Sequence, residues 1–146
     1  MPKKVIEGYL LGFDFGLRRI GVAIGQTITQ TATPETIVNS RDGVPDWERI
    51  TQLFEQWQPA AIVVGLPMHL DGSEQPLTQS ARKFGQRLSG RYHKPVFFIE
   101  EQLSSIEAEQ RLANANKINQ ASDAHAAQII LQNWLETEYP SHQPSQ

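Results

Sequence analysis

The stretch Leu10–Gly25, LLGFDFGLRRIGVAIG, constrains the fold of this chain more than any other. It reads as an apolar strand, a turn through Gly16-Leu17-Arg18-Arg19, and a second apolar strand, Ile20–Ile24, that returns beside the first. Strand side chains alternate, so Leu11, Phe13 and Phe15 face one side while Leu10, Gly12 and Asp14 face the other. Asp14 therefore closes an otherwise apolar strand face. A carboxylate there is costly to bury unless it is paired or holds a metal. At the surface the same residue would do no more than cap a loop. What distinguishes the two is whether other parts of the chain bring further acids to the same place.

The remainder of the chain supplies the elements for a layered sheet. Ala32–Val38 reads as a third strand, and Gly43-Val44-Pro45 as a break. Asp46 has the chemistry of an N-cap for a helix whose apolar face is Trp47, Ile50, Phe54 and Trp57 and which Pro59 ends. Ala60–Gly65 is a short continuous apolar run, the signature of a strand covered on both faces. A loop, Leu66–Gly72, leads to a helix from Gln75-Pro76 with core positions Leu77, Ala81, Phe84 and Leu88. Pro95–Ile99 reads as the last strand and runs into Glu100-Glu101. Ser104 and Glu107 have capping-box spacing, Asn114–Asn119 interrupts that helix, and a final helix from near Ser122 carries the stripe Ala127, Ile130, Leu131, Trp134, Leu135. The order predicts an α/β fold: a mixed five-stranded sheet, three antiparallel strands followed by parallel crossovers, with helices on both faces. At 146 residues, one domain over 1–139 is expected, with a polar, disordered tail over 140–146.

Three acids occupy informative positions. Asp14 leaves the first strand, Glu101 leaves the last, and Asp123 lies in the first turn of the final helix, one turn before Ala127. In an open sheet with crossovers, ligands bind beyond the carboxyl ends of the strands, and there the three would converge. Hard oxygen donors in a chain without cysteine suit Mg²⁺ or Mn²⁺ rather than structural zinc. Such a cluster fits two-metal hydrolysis of a phosphodiester. Singly, each acid has a plainer reading: Asp123 as a first-turn charge on the helix dipole, Glu101 as a strand-end charge. Glu100 is a rival for Glu101, and alternation sends the two to opposite faces.

The formal net charge of −3 does not favour nucleic-acid binding, so any such partner needs a local basic patch. Arg18 and Arg19, in the turn beside Asp14, are candidates for a substrate phosphate. Lys83, Arg87 and Arg91, four residues apart on one helix, with Arg82, His93 and Lys94 nearby, form a candidate phosphate track or an ordinary solvated face. His69 in the Leu66–Gly72 loop is a candidate proton shuttle. His125, roughly 200° round the helix from Asp123, is not expected to share a metal. Trp47, Trp57 and Trp134 follow core spacing. No apolar run approaches the roughly 20 residues of a membrane span, and the short, polar start is not a signal peptide. With no cysteine, the expected location is the cytoplasm.

These blocks resemble a known family. Phe13-Asp14-Phe15-Gly16 with Arg19–Ala23, Ile62–Pro67 with Asp71–Glu74, Glu100–Ser105, and Ser122–Ala127 with Ile129–Leu131 are similar to the YqgF family of pre-16S rRNA nucleases and Holliday-junction-resolvase-like proteins. The likeness runs from about Leu10 to Leu135. It departs at Gln102, where the family usually carries arginine, and at Ser105, which replaces the common threonine. The resemblance implies an RNase H-like fold related to the RuvC resolvase. It also implies Asp14, Glu101 and Asp123 as catalytic metal ligands. The implied activity is metal-dependent cleavage of RNA in 5′-end maturation of small-subunit ribosomal RNA. The expected partners are precursor RNA and the small ribosomal subunit, and a monomer or weak dimer is expected. A DNA-junction resolvase and a non-catalytic RNA- or ribosome-binding factor are the alternatives.

Overall fold

In the computed structural model, residues 6–103 and 120–142 are described. The strands are β1 (Tyr9–Asp14), β2 (Arg19–Gln26), β3 (Thr31–Arg41), β4 (Val44–Pro45), β5 (Ala61–His69) and β6 (Val96–Leu103). The helices are α1 (Trp47–Trp57), α2 (Pro76–Tyr92) and α3 (Gln120–Thr137), followed by a 3-10 turn over Tyr139–His142. One mixed sheet has the order β4-β3-β2-β1-β5-β6. The first four strands pair antiparallel, while β1–β5 and β5–β6 pair parallel. The antiparallel start and the parallel crossovers are as the residue pattern predicts. The helix expected from Ser104 lies outside the described residues.

The sheet has six strands rather than five. The extra one comes from Asp42-Gly43, whose φ angles of 51° and 84° make a two-residue turn of the kind that closes tight hairpins. It folds Val44-Pro45 back onto Ser40-Arg41. The segment that looked like a break is thus a hairpin. Two strands also run further than their sequences suggest. β5 continues through Leu66–His69 because β6 pairs with it to the end. Beyond Val64 no residue of β1 pairs with it, so Pro67 sits where a missing donor is tolerated. β6 likewise includes Glu100 and Glu101. At the other end, the 3-10 turn occupies Tyr139–His142, where the polar tail was expected to be disordered. The Tyr139 hydroxyl donates to the Ile6 carbonyl.

Alternation sorts the core into two layers. Leu11, Phe13, Ile20, Val22, Ile62 and Val64 meet Ile50, Leu53 and Phe54 of α1 and Ala81, Phe84 and Leu88 of α2. Leu10, Ala23, Ala61 and Val63 meet Ala127, Ile130, Leu131, Trp134 and Leu135 of α3. In β3 a bulge shifts the register between Val22 and Ala23, which lets Val38 face the first layer and Ala32 the second. Asp46 caps α1 as predicted, its carboxylate accepting from the Arg49 amide. α3 lies very close to the sheet: a Cβ on Gly12 would sit 2.7 Å from the Leu131 Cβ. Two glutamines bind α3 to β3. Gln132 accepts from the Ala32 amide and donates to the Gln30 carbonyl, and Gln128 donates to the Ala32 carbonyl.

Candidate active site

Asp14 ends β1, half-buried, on the α3 face it shares with Leu10 and Gly12. The register carries that position across the sheet. Phe13 pairs with Val64, so one residue on, Asp14 comes level with Gly65, about 4.8 Å away on the neighbouring strand. Gly65 in turn pairs with Ile99 of β6. Glu101 stands two residues further along β6, on the same face as Phe97 and Ile99, which pack on the α3 layer. Its side chain leans back over β5: Oε2 lies 3.0 Å from where a Gly65 Cβ would be. That oxygen is buried although the residue as a whole is half-buried. The Glu101 carboxylate therefore lies above the strand next to Asp14, in a space that exists because Gly65 has no side chain. Glu100 is exposed and falls on the other face with Phe98, whose ring crowds Gly85 of α2. The rivalry between the two glutamates is thus decided for this face in favour of Glu101.

Asp123 belongs to the first turn of α3, four residues before the buried Ala127; its side chain lies outside the described residues. The course of the helix is fixed by what it touches. Ile130 presses on Gly65, Leu131 on Gly12, Leu135 on Gly25, and Tyr139 reaches Ile6. Read backwards, α3 runs from the start of β1 toward its carboxyl end. Seven residues before Ile130, about 10 Å at 1.5 Å per residue, its first turn overhangs the rim where Asp14 and Glu101 stand. Among the described residues no three His, Asp or Glu side chains form a metal-binding group.

The basic candidates separate. Arg19, the first residue of β2, shares a face with Gly21, Ala23 and Gly25. Gly21 is the partner of Asp14, so Arg19 is on the carboxylate side of the sheet. Arg18 is exposed in the turn before it. The turn is strapped from the β3–β4 hairpin: the Ser40 amide donates to the Arg18 carbonyl and the Gly43 amide to that of Leu17. Lys83 and Arg87 are exposed on α2, which covers the opposite layer, so they are not brought to the carboxylates. Arg91 lies over the Trp47 ring, 3.9 Å from its centroid, and Arg82 bridges to Glu74 at 2.5 Å. His69 is exposed at the end of β5, and His125 hydrogen-bonds Gln128. Trp134 is fully buried; Trp47 and Trp57 are half-buried against the first layer.

Thr78 was not singled out by the sequence. Its hydroxyl, fully buried, accepts from the Gln75 amide and donates to the Pro67 carbonyl. Pro67 pairs with Glu101, so this bond fixes the start of α2 to the strand segment beside the carboxylate. The only sequence signal for it was the position of Thr78, three residues after the N-cap.

An acid pair on one sheet face at the carboxyl ends of β1 and β6, roofed by a terminal helix, defines an RNase H-like domain of the resolvase class. The fold is shared with a Thermus thermophilus RuvC solved with a Holliday junction substrate (TM-score 0.57, 13% identity, 92% of this chain and 97% of that one). It is shared too with a fowlpox virus resolvase bound to junction DNA (TM-score 0.52, 13% identity, 88% and 97%). Residues 8–137 match the family described as RuvX, Holliday junction resolvase. The chain belongs to this family of resolvase-type nucleases. Relatives named "Putative pre-16S rRNA nuclease" include one from Hydrogenovibrio crunogenus, 72% identical over 91% of this chain and 97% of its own length. Another, from Nitrosococcus oceani, is 52% identical over 86% and 85%.

Proposed function

We propose that the protein is a metal-dependent endonuclease acting on ribosomal precursor RNA, in maturation of the 5′ end of small-subunit rRNA. The observation that carries the reading is the Glu101 carboxylate lying over Gly65 beside Asp14. Two carboxylates brought to one rim and one face of the sheet, from strands that are not sequence neighbours, suit hard divalent ions. Asp14, Glu101 and Asp123 would hold Mg²⁺ or Mn²⁺; bound there, such ions would supply activation of water and stabilisation of the leaving oxygen. The amino-terminal end of α3, the positive end of its dipole, favours the anionic phosphate of the substrate at this rim. Arg19, and Arg18 in the strapped turn, orient a non-bridging phosphate oxygen through their guanidinium groups. The names of the close relatives support ribosomal precursor as substrate. Ribosomal precursor as the substrate places the reaction in the cytoplasm; among the described residues no helix is long and apolar enough to cross a membrane.

The test is cleavage of a precursor transcript by the purified protein in Mg²⁺. Asp14→Asn and Glu101→Gln, each expected to fold, should lower the rate by roughly two orders of magnitude or more, the scale of losing one charge-stabilising group. Undiminished cleavage by Asp14→Asn overturns the mechanism. A junction resolvase is the second reading, favoured by the likeness to junction-bound RuvC and by the family description. It requires a symmetric dimer with two sites. A monomer in light scattering that leaves four-way junctions intact excludes it, and RNA bound tightly with no metal-dependent turnover points to a binding factor.

A further inference from the structure

α2 and the turn after it carry an unusual charge distribution. Residues 75–95 contain Arg82, Lys83, Arg87, Arg91 and Lys94, five of the 13 Lys and Arg in the chain, and none of its 16 Asp and Glu. In a protein of net charge −3, this concentrates cations on one element. The packing then turns them outward. Thr78, Ala81, Phe84, Gly85 and Leu88 are buried, which leaves Lys83, Arg87 and Arg91 on the solvent side at four-residue spacing, about 6 Å per step along the axis. Arg82 is taken by Glu74, and Arg91 lies on Trp47 in a shallow groove shared with Glu48 and Glu55. Lys83 and Arg87 make no ion pair among the described residues, and His93 and Lys94 extend the exposed end.

We infer that the outer face of α2 is a second RNA-binding surface, separate from the cleavage site, that grips the phosphate backbone of a folded substrate. This rests on the reading of the protein as an RNA nuclease and narrows its substrate class. A regular row of cations matches an extended polyanion better than the clustered acids of a protein patch. An anionic membrane is a poor fit, because α2 exposes no large apolar side chain for insertion. α2 covers the sheet face opposite Asp14 and Glu101, so the sheet and a helix about 10 Å thick separate the two surfaces. A short single strand at the carboxylate rim does not reach both. A structured RNA that wraps the edge of the domain does.

The experiment is equilibrium binding of an RNA hairpin of about two helical turns, by fluorescence anisotropy, in EDTA so that catalysis plays no part. Wild type is compared with Lys83→Gln/Arg87→Gln across a salt series. A control, Arg41→Gln/Arg49→Gln, removes equal charge from exposed or half-exposed sites elsewhere, and circular dichroism confirms that both variants fold. The α2 variant should bind roughly ten- to a hundredfold more weakly at 0.1 M salt, with the log–log salt slope reduced by about two, one for each lost phosphate contact. The control should lose little. No hairpin binding by wild type, equal losses in both variants, or an unchanged slope overturns the inference. None of these depends on whether Asp14→Asn cleaves, so the surface and the nuclease mechanism fail independently.

Discussion

Gly65 shows how one missing side chain shapes the site. In sequence it looks like the end of a strand. In the structure it is a paired position inside β5, with Ile130 of α3 on one side and the Glu101 carboxylate on the other. Alanine there would place a Cβ 2.6 Å from the Ile130 Cδ1 and 3.0 Å from Glu101 Oε2. The first contact forces α3 outward or Ile130 off its rotamer. The second displaces a carboxylate oxygen. Gly65→Ala should therefore cost about 1–3 kcal/mol, the usual range for overpacking a full core, read as a lower urea midpoint at unchanged slope. It should also weaken divalent-ion binding beyond what the stability loss explains. A variant as stable as wild type would show that α3 does not press on β5 as closely as drawn.

The turn between β5 and α2 is held by a local network rather than by packing. The Gly72 amide donates to the His69 carbonyl, and the His69 amide to that of Ser73. Asp71 Oδ1 accepts from both the amide and the hydroxyl of Ser73. The Ser73 hydroxyl, then its amide, hold the Asp71 carboxyl below its ordinary value, with a smaller contribution from His69. A depressed folded pKa means that this contribution to the turn is complete above the unfolded value and is lost as pH falls through the folded one. Ser73→Ala should raise the Asp71 midpoint in an NMR titration while leaving the amide bond to Ser73's position in place. No movement would mean that the hydroxyl is not the main cause.

How far such elements could be read from sequence depends on whether their cause is local. The β1–β2 hairpin, the Asp46 cap and the α3 stripe follow from alternation, capping chemistry and helical period, all visible within a few residues. The β3–β4 hairpin was also local, written in Asp42-Gly43, but the proline beyond it drew the reading toward a break. The extension of β5 was not local, since Gly65 and Pro67 read as breakers until β6 supplies a partner. Nor was the choice of Glu101 over Glu100: alternation separates them, but only the docking of α3 on Phe97 and Ile99 says which face matters. The opposition of α2 to the carboxylates has the same origin, the hand of a crossover that no single helix encodes.

For the molecule entire, the consequence of this architecture is that the acids belong to elements far apart in the chain. Asp14 comes from β1, Glu101 from β6 and Asp123 from α3, and an unfolded chain holds them in no fixed relation. Divalent ions that bind them together bind the native state alone, and linkage then converts affinity into stability. At a hundred times the dissociation constant the gain is about 2.7 kcal/mol, which for a chain of this length raises the melting temperature by roughly 5–10 °C. Melting in Mn²⁺ and in EDTA should show that difference, and Ca²⁺, a hard cation of larger radius, should give a smaller one. Asp14→Asn removes one of the donors and should gain little from Mn²⁺, whatever its melting temperature in EDTA. A general weakening of the fold would lower both melts together, and a site that holds no metal would leave wild type indifferent to Mn²⁺.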